Sequence, residues 1–153
     1  MLLWVKAGNL DMVAWLIAKG ANVNQEALDK TTPLMTAAFA GRVDLMRALL
    51  DGGAEIDRHD QVFKTAMIYA AGEGRVEAVK LLMDRAVDVN QVYNHNLTAL
   101  MWAAGYGKLE CVELLLERGA DPKLRDDRGK TASDIAAEQG HQTVAALLRE
   151  RAG

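Results

Sequence analysis

The stretch TALMWAAGYGKLECVELLLERGADPKLRDDRGKT, residues 98–131, holds one whole structural unit and the first residue of the next. Thr98 has the side chain of a helix N-cap, and Ala99 to Gly105 are compatible with a short helix behind it. Gly107 supplies the left-handed backbone that ends that helix. A second helix follows, with Leu109, Val112, Leu115 and Leu116 at helical spacing and Glu110 in its first turn, where a carboxylate suits the positive helix end. Arg118 stands near its end and Gly119 stops it. Asp121-Pro122 and the polar run Arg125 to Gly129 cannot extend a helix and predict an extended, finger-like loop. At Thr131 the cycle restarts.

The same cycle fills the chain. Gly8, Gly41, Gly74, Gly107 and Gly140 recur every 33 residues, as do Thr32, Thr65, Thr98 and Thr131. So do Leu16, Leu49, Leu82, Leu115 and Leu148, and the alanine pairs Ala37–Ala38, Ala70–Ala71, Ala103–Ala104 and Ala136–Ala137. A fixed period of this length predicts a stack of identical supersecondary units in place of a single globular core. Small residues at the alanine pairs let neighbouring first helices approach closely, and the leucine series fills the space between two helix layers. The predicted helix pairs are 1–7 with 10–19, 33–40 with 43–52, 66–73 with 76–85, 99–106 with 109–118, and 132–139 with 142–150.

Thr32-Pro33-Leu34-Met35-Thr36-Ala37-Ala38, Gly41, Leu49-Leu50 and Gly53-Ala54 together resemble the ankyrin repeat, and residues 98–121 resemble it equally. The resemblance runs over the whole chain: one domain, 1–153, with units of approximately 1–26, 27–59, 60–92, 93–125 and 126–153. It implies an all-α solenoid of stacked antiparallel helix pairs with projecting β-hairpin-like fingers. The sequence departs from the family in two slots. Its usual histidine is replaced by Met35, Ile68, Met101 and Asp134. Its finger glycine is kept at Gly129 and replaced by Lys30, Phe63 and Asn96. The last unit is more polar, as a solvent-facing end should be. In the first, Trp4 and Trp15 take slots that hold smaller residues elsewhere. Either the rings cover an end, the reading favoured here, or Trp4 packed on further repeats upstream.

Composition agrees. The 153 residues are 50% hydrophobic but only 5% aromatic, which suits a core of Ala, Leu, Val and Met between close helices. A net charge of −3 gives no basic footprint for nucleic acid. No signal peptide or membrane-length apolar run is visible, so a cytoplasmic setting is favoured and no membrane partner is expected.

Catalytic and metal chemistry find little support. Cys111, the one cysteine, falls in the apolar slot of Met12, Leu45, Ala78 and Val144. His141 follows its unit's glycine, a structural position in the family. His59 and His95 lie in different fingers, and no pair has metal-ligand spacing. Asp44, Glu77 and Glu110 share a first-turn slot explained by helix electrostatics, and turn chemistry accounts for Asp88, Asp121, Asn24 and Asn90. No catalytic residue, metal site or cofactor is expected.

The resemblance implies a protein-binding scaffold or adaptor, monomeric, whose fingers and first helices line a concave face. The alternatives are a regulatory or targeting segment of a longer protein, or an engineered array without a natural partner. Carried onto this chain, the candidate partner-binding residues are Phe39, His59, Val62, Lys64, Tyr69, Val92, Tyr93, His95, Leu97, Trp102, Tyr106 and Arg128. Of these, Phe39, Val62, Val92, Leu97 and Tyr106 are apolar at slots expected to face solvent. Aromatic residues in such a groove are more often interface anchors than ordinary surface. The competing reading packs Phe63 on Tyr93, finger against finger, and makes Tyr69 and Trp102 part of the stack.

Overall fold

The computed structural model describes residues 1–153 and contains ten α-helices and no strand. They form five antiparallel pairs: α1 (Leu2–Lys6) with α2 (Leu10–Ala18), α3 (Pro33–Ala40) with α4 (Val43–Asp51), α5 (Ala66–Gly72) with α6 (Val76–Asp84), α7 (Ala99–Gly105) with α8 (Leu109–Glu117), and α9 (Ala132–Glu138) with α10 (Gln142–Ala152). The odd-numbered helices stack on one another as an inner layer and the even-numbered helices as an outer layer. The fingers project from the inner layer. Helix bounds agree with those read from the sequence to within two residues at each end.

The local causes are those the period implies. Thr32, Thr65, Thr98 and Thr131 each accept a backbone N–H three residues on, from Met35, Ile68, Met101 and Asp134, at 3.2–3.5 Å. The slot that lost its family histidine keeps a capping role at two sites: Met35 sulfur accepts from Thr32 N–H at 3.5 Å, and Asp134 carboxylate accepts from Thr131 N–H at 3.0 Å. The alanine pairs are sealed between inner helices, with Ala37, Ala38, Ala70, Ala71, Ala103, Ala104 and Ala136 fully buried. Leu49, Leu82, Leu115 and Leu148 are fully buried as well, whereas Leu16 is only partly so. Trp4 packs on the core, but Trp15 stands 55% exposed with Lys19 Nζ 5.8 Å from its ring, so only one of the two tryptophans covers anything.

Successive units are tied by three devices. Arg42 donates to the Gly8 carbonyl at 3.1 Å and Arg75 to the Phe39 carbonyl at 3.0 Å, placing a cation on the negative C-terminal end of the preceding inner helix. His141 takes the same slot, its ring lying where a Cβ on Gly107 would stand, 2.5 Å from Nδ1, so Gly107 is fixed by this approach as well as by its positive φ. Asn24 and Asn90 do more than turn the chain. Asn24 donates to the Gly53 carbonyl and accepts from Glu55 N–H, and Asn90 does the same with Gly119 and Asp121, a loop-to-loop clamp between units.

Candidate functional site

The fingers share a left-handed turn residue, with four different residues in that slot. Lys30, Phe63, Asn96 and Gly129 all sit at positive φ, between 55° and 75°, but the finger at 93–97 departs from the rest: His95 is also at a φ of 59°, in a 3-10 turn over Asn94–Asn96. Two fingers are held from inside by a buried carboxylate. Asp60 Oδ1 accepts from the N–H groups of Val62 and Lys64, both at 2.9 Å, and Oδ2 accepts from the Tyr69 hydroxyl at 2.5 Å. Asp126 repeats the amide contacts with Arg128 and Lys130, and its Oδ2 takes the Arg128 guanidinium through two bonds of 2.7 and 2.9 Å. Burial drives the Asp126 carboxyl upward, but the Lys130 and Arg128 donors outweigh it and hold the group below the usual carboxylate range. Tyr69 is pushed up, first by burial and then by its carboxylate acceptor.

Neighbouring fingers are stitched by a backbone bond at equivalent positions, Gln61 N–H to the Asp29 carbonyl and Asp127 N–H to the His95 carbonyl, each 3.0 Å. The corresponding bond from Asn94 N–H to the Val62 carbonyl is not made. A cleft of about 470 Å³ opens there, lined by Gln61, Val62, Phe63 and Lys64 on one side and Tyr93, Asn94, His95, Leu97 and Trp102 on the other. A second groove of about 520 Å³ lies beyond Leu97 and Trp102, bounded by Tyr106, Arg128, Ile135 and Gln139. Leu97 and Trp102 form the ridge shared by both.

Aromatic rings line this face. Phe39 meets Tyr69 edge-on with centroids 6.0 Å apart, and Trp102 stacks on Tyr106 at 6.0 Å with planes 10° apart. Lys64 Nζ lies 4.8 Å from the Trp102 centroid and 5.6 Å from that of Tyr69, inside the range of a cation–π contact. The Tyr106 ring lies beside Gly72, where a Cβ would make ordinary contact with it at 3.6 Å.

The sequence-derived residues divide accordingly. The first cleft gathers Val62, Lys64, Tyr93, His95, Leu97 and Trp102; the second gathers Leu97, Trp102, Tyr106 and Arg128. Phe39 and Tyr69 adjoin them along the inner helices. His59 and Val92 line neither groove, although Val92 is 55% exposed. Phe39, Val62 and Tyr106 are exposed as expected, at 47, 63 and 53%. Leu97 is not: it is half-buried against the core, because its slot turns inward at the foot of the finger. Tyr93 also packs inward, and burial pushes its hydroxyl up to about 12. Phe63 lies against His59 of its own finger, with centroids 5.0 Å apart and planes tilted by 32°, and Phe63 and Tyr93 both line the cleft. His95 Nδ1 lies 3.4 Å from Asp127 Oδ2 in the next finger. Asp60 and Asp126 were not singled out from the sequence. Their slot holds Ala27 and Tyr93 in the other fingers, so a search for constant positions passes over it; the signal was the pair itself, each followed four residues later by lysine.

Elsewhere the chemistry is spare. Cys111 is buried and burial pushes its thiol up to about 11. No three His, Cys, Asp or Glu side chains gather to hold a metal ion. No helix is long and apolar enough to cross a membrane.

Comparison with curated proteins returns no match. A family model of ankyrin repeats, three copies long, matches residues 1–93 and again residues 87–153. Its members are in general protein–protein interaction modules and typically not enzymes. By this match and by the helix-pair stack with its fingers, the chain belongs to the ankyrin repeat family.

Proposed function

We propose that this chain is a binding scaffold that holds another protein on its concave face, centred on the Leu97–Trp102 ridge and the two grooves beside it. One observation carries the reading: the stitching between fingers is interrupted at one place, and there Lys64 and Trp102 line an open apolar cleft, with Tyr106 stacked behind Trp102 in the groove beyond it. A surface that only faced water would favour polar residues at Val62 and Tyr106, and contiguous exposed apolar patches on a folded chain mark interaction sites. Trp102 and Tyr106 are the anchors, since stacked rings offer large area with little side-chain freedom to lose. The second groove is largely preformed, because Met101, Trp102, Gly105 and Ile135 in its walls lie on short helices locked between neighbours.

The test is amide hydrogen exchange on the complex with a partner recovered from lysate by the full chain and repurified. Slowed exchange confined to residues 61–64, 93–97 and 102–106 is expected. Slowing on α4, α6 and α8 in its place would overturn the assignment of the face.

A further inference from the structure

The slot of Lys64 in the third unit is that of Lys130 in the fifth, and the two lysines live differently. Lys130 Nζ meets Glu138 Oε1 at 2.6 Å, and that carboxylate holds its ammonium above the usual lysine range. Glu138 lies eight residues after Lys130; eight residues after Lys64 lies Gly72. The third unit therefore keeps the cation and lacks its acid. Lys64 takes part in none of the chain's ion pairs. The acid in its own finger, Asp60, is 4% exposed and already occupied, with two amides on Oδ1 and the Tyr69 hydroxyl on Oδ2. Asp127, beyond the next finger, lies beside His95 at 3.4 Å. The ammonium rests over Tyr69 and Trp102, at the wall of the cleft where the finger stitching is open.

Resting on the concave-face reading above, we propose that the bound protein inserts a segment carrying an aspartate or glutamate next to a large apolar residue. Its carboxylate receives Lys64 Nζ, in the role Glu138 plays on Lys130, while the apolar neighbour covers the Trp102 ridge. A charge-assisted bond in a site shielded by two rings is stronger than one in open water, and its gain is largest where the cation has no acid of its own. The last unit supplies the internal comparison, since there the same slot is already neutralised and offers a partner nothing.

The experiment pans a random peptide library on the full chain, then measures affinities on the unaltered chain, on Lys64→Met and on Gly72→Glu. Gly72→Glu restores the missing acid in the Glu138 slot, and its Cβ makes only ordinary contact with Tyr106. The expected peptides share an acid at fixed spacing from a large apolar residue. Changing that acid to its amide weakens binding roughly tenfold on the unaltered chain and leaves it unchanged on both variants. Peptides that need Trp102 but show no acid, or whose acid still counts on Lys64→Met, overturn the carboxylate proposal and leave the groove standing. Peptides that bind Trp102→Ala as well as the unaltered chain, or a library with no Trp102-dependent peptide, overturn the groove reading and this proposal with it.

Discussion

The fingers before α5 and α9 start from the same buried aspartate and end as opposite surfaces. At residues 126–131 both cations close on an acid, Arg128 on Asp126 and Lys130 on Glu138, and Thr131 joins Asp134 in a reciprocal cap. At residues 60–65 the carboxylate is satisfied by neutral donors, Val62 stands in the guanidinium's slot, and Lys64 lies over rings. The scaffold beneath is shared, so the difference is a difference of surface alone. In a repeat protein, the slots that differ between units of equal backbone are where binding is to be sought.

The largest effects test whether the scaffold is shared. Leu82→Ala and Leu148→Ala each remove a fully buried side chain, and each is expected to cost about 2–5 kcal/mol in denaturant melts. If only Leu82 is costly, the last unit is not coupled to the stack. Asp60→Ala and Asp126→Ala follow, at about 1–3 kcal/mol apiece, since each strips two finger amides of their acceptor. Acid gives a second test of Asp126. The Asp126 carboxyl is depressed in the folded chain, so its contribution is present above the ordinary aspartate value, about 4, and is lost as pH falls through the folded value. Melts taken down the acid limb should show a shallower loss of stability for Asp126→Ala than for the unaltered chain.

Packing sharpens the contrast between the middle and the end. Ala70 lies on α5, between α3 and α7, whereas Ala136 lies on α9, which packs on α7 alone among the inner helices. Ala70→Leu should cost about 1–3 kcal/mol by overpacking on two sides, and Ala136→Leu less. The smallest effects are gains. Ala86 holds a φ of 69° in the slot where Gly20, Gly53 and Gly119 stand, so Ala86→Gly should stabilise by about 1 kcal/mol. A loss there would mean that the strain is not real.

The stack was readable from sequence because many slots keep one period: threonine caps, alanine pairs and the leucine series each report the same 33 residues. The finger turns were readable from Gly129 alone, since the other three residues take its conformation. What escaped is what periodicity averages away. Asp60 and Asp126 alternate with Ala27 and Tyr93, Ala86 hides in a glycine slot, and the inward turn of Leu97 and Tyr93 follows from packing between fingers. The pairing of Lys64 with Trp102 joins two units and has no signature along either. Most of the candidate residues therefore adjoin on one face, while the cleft within it came from the interrupted stitching between Val62 and Asn94.

The most direct measurement is partner affinity for Tyr106→Ala set beside its melting curve, with Glu113→Ala on the outer layer as reference. A loss of about 1–3 kcal/mol in binding with a nearly unchanged melt is expected for Tyr106→Ala, and neither effect for Glu113→Ala. If Tyr106→Ala lowers stability as much as Leu82→Ala, its ring is structural and the face loses its best anchor; if Glu113→Ala weakens binding as much as Tyr106→Ala does, the concave face around Trp102 is not where the partner is held.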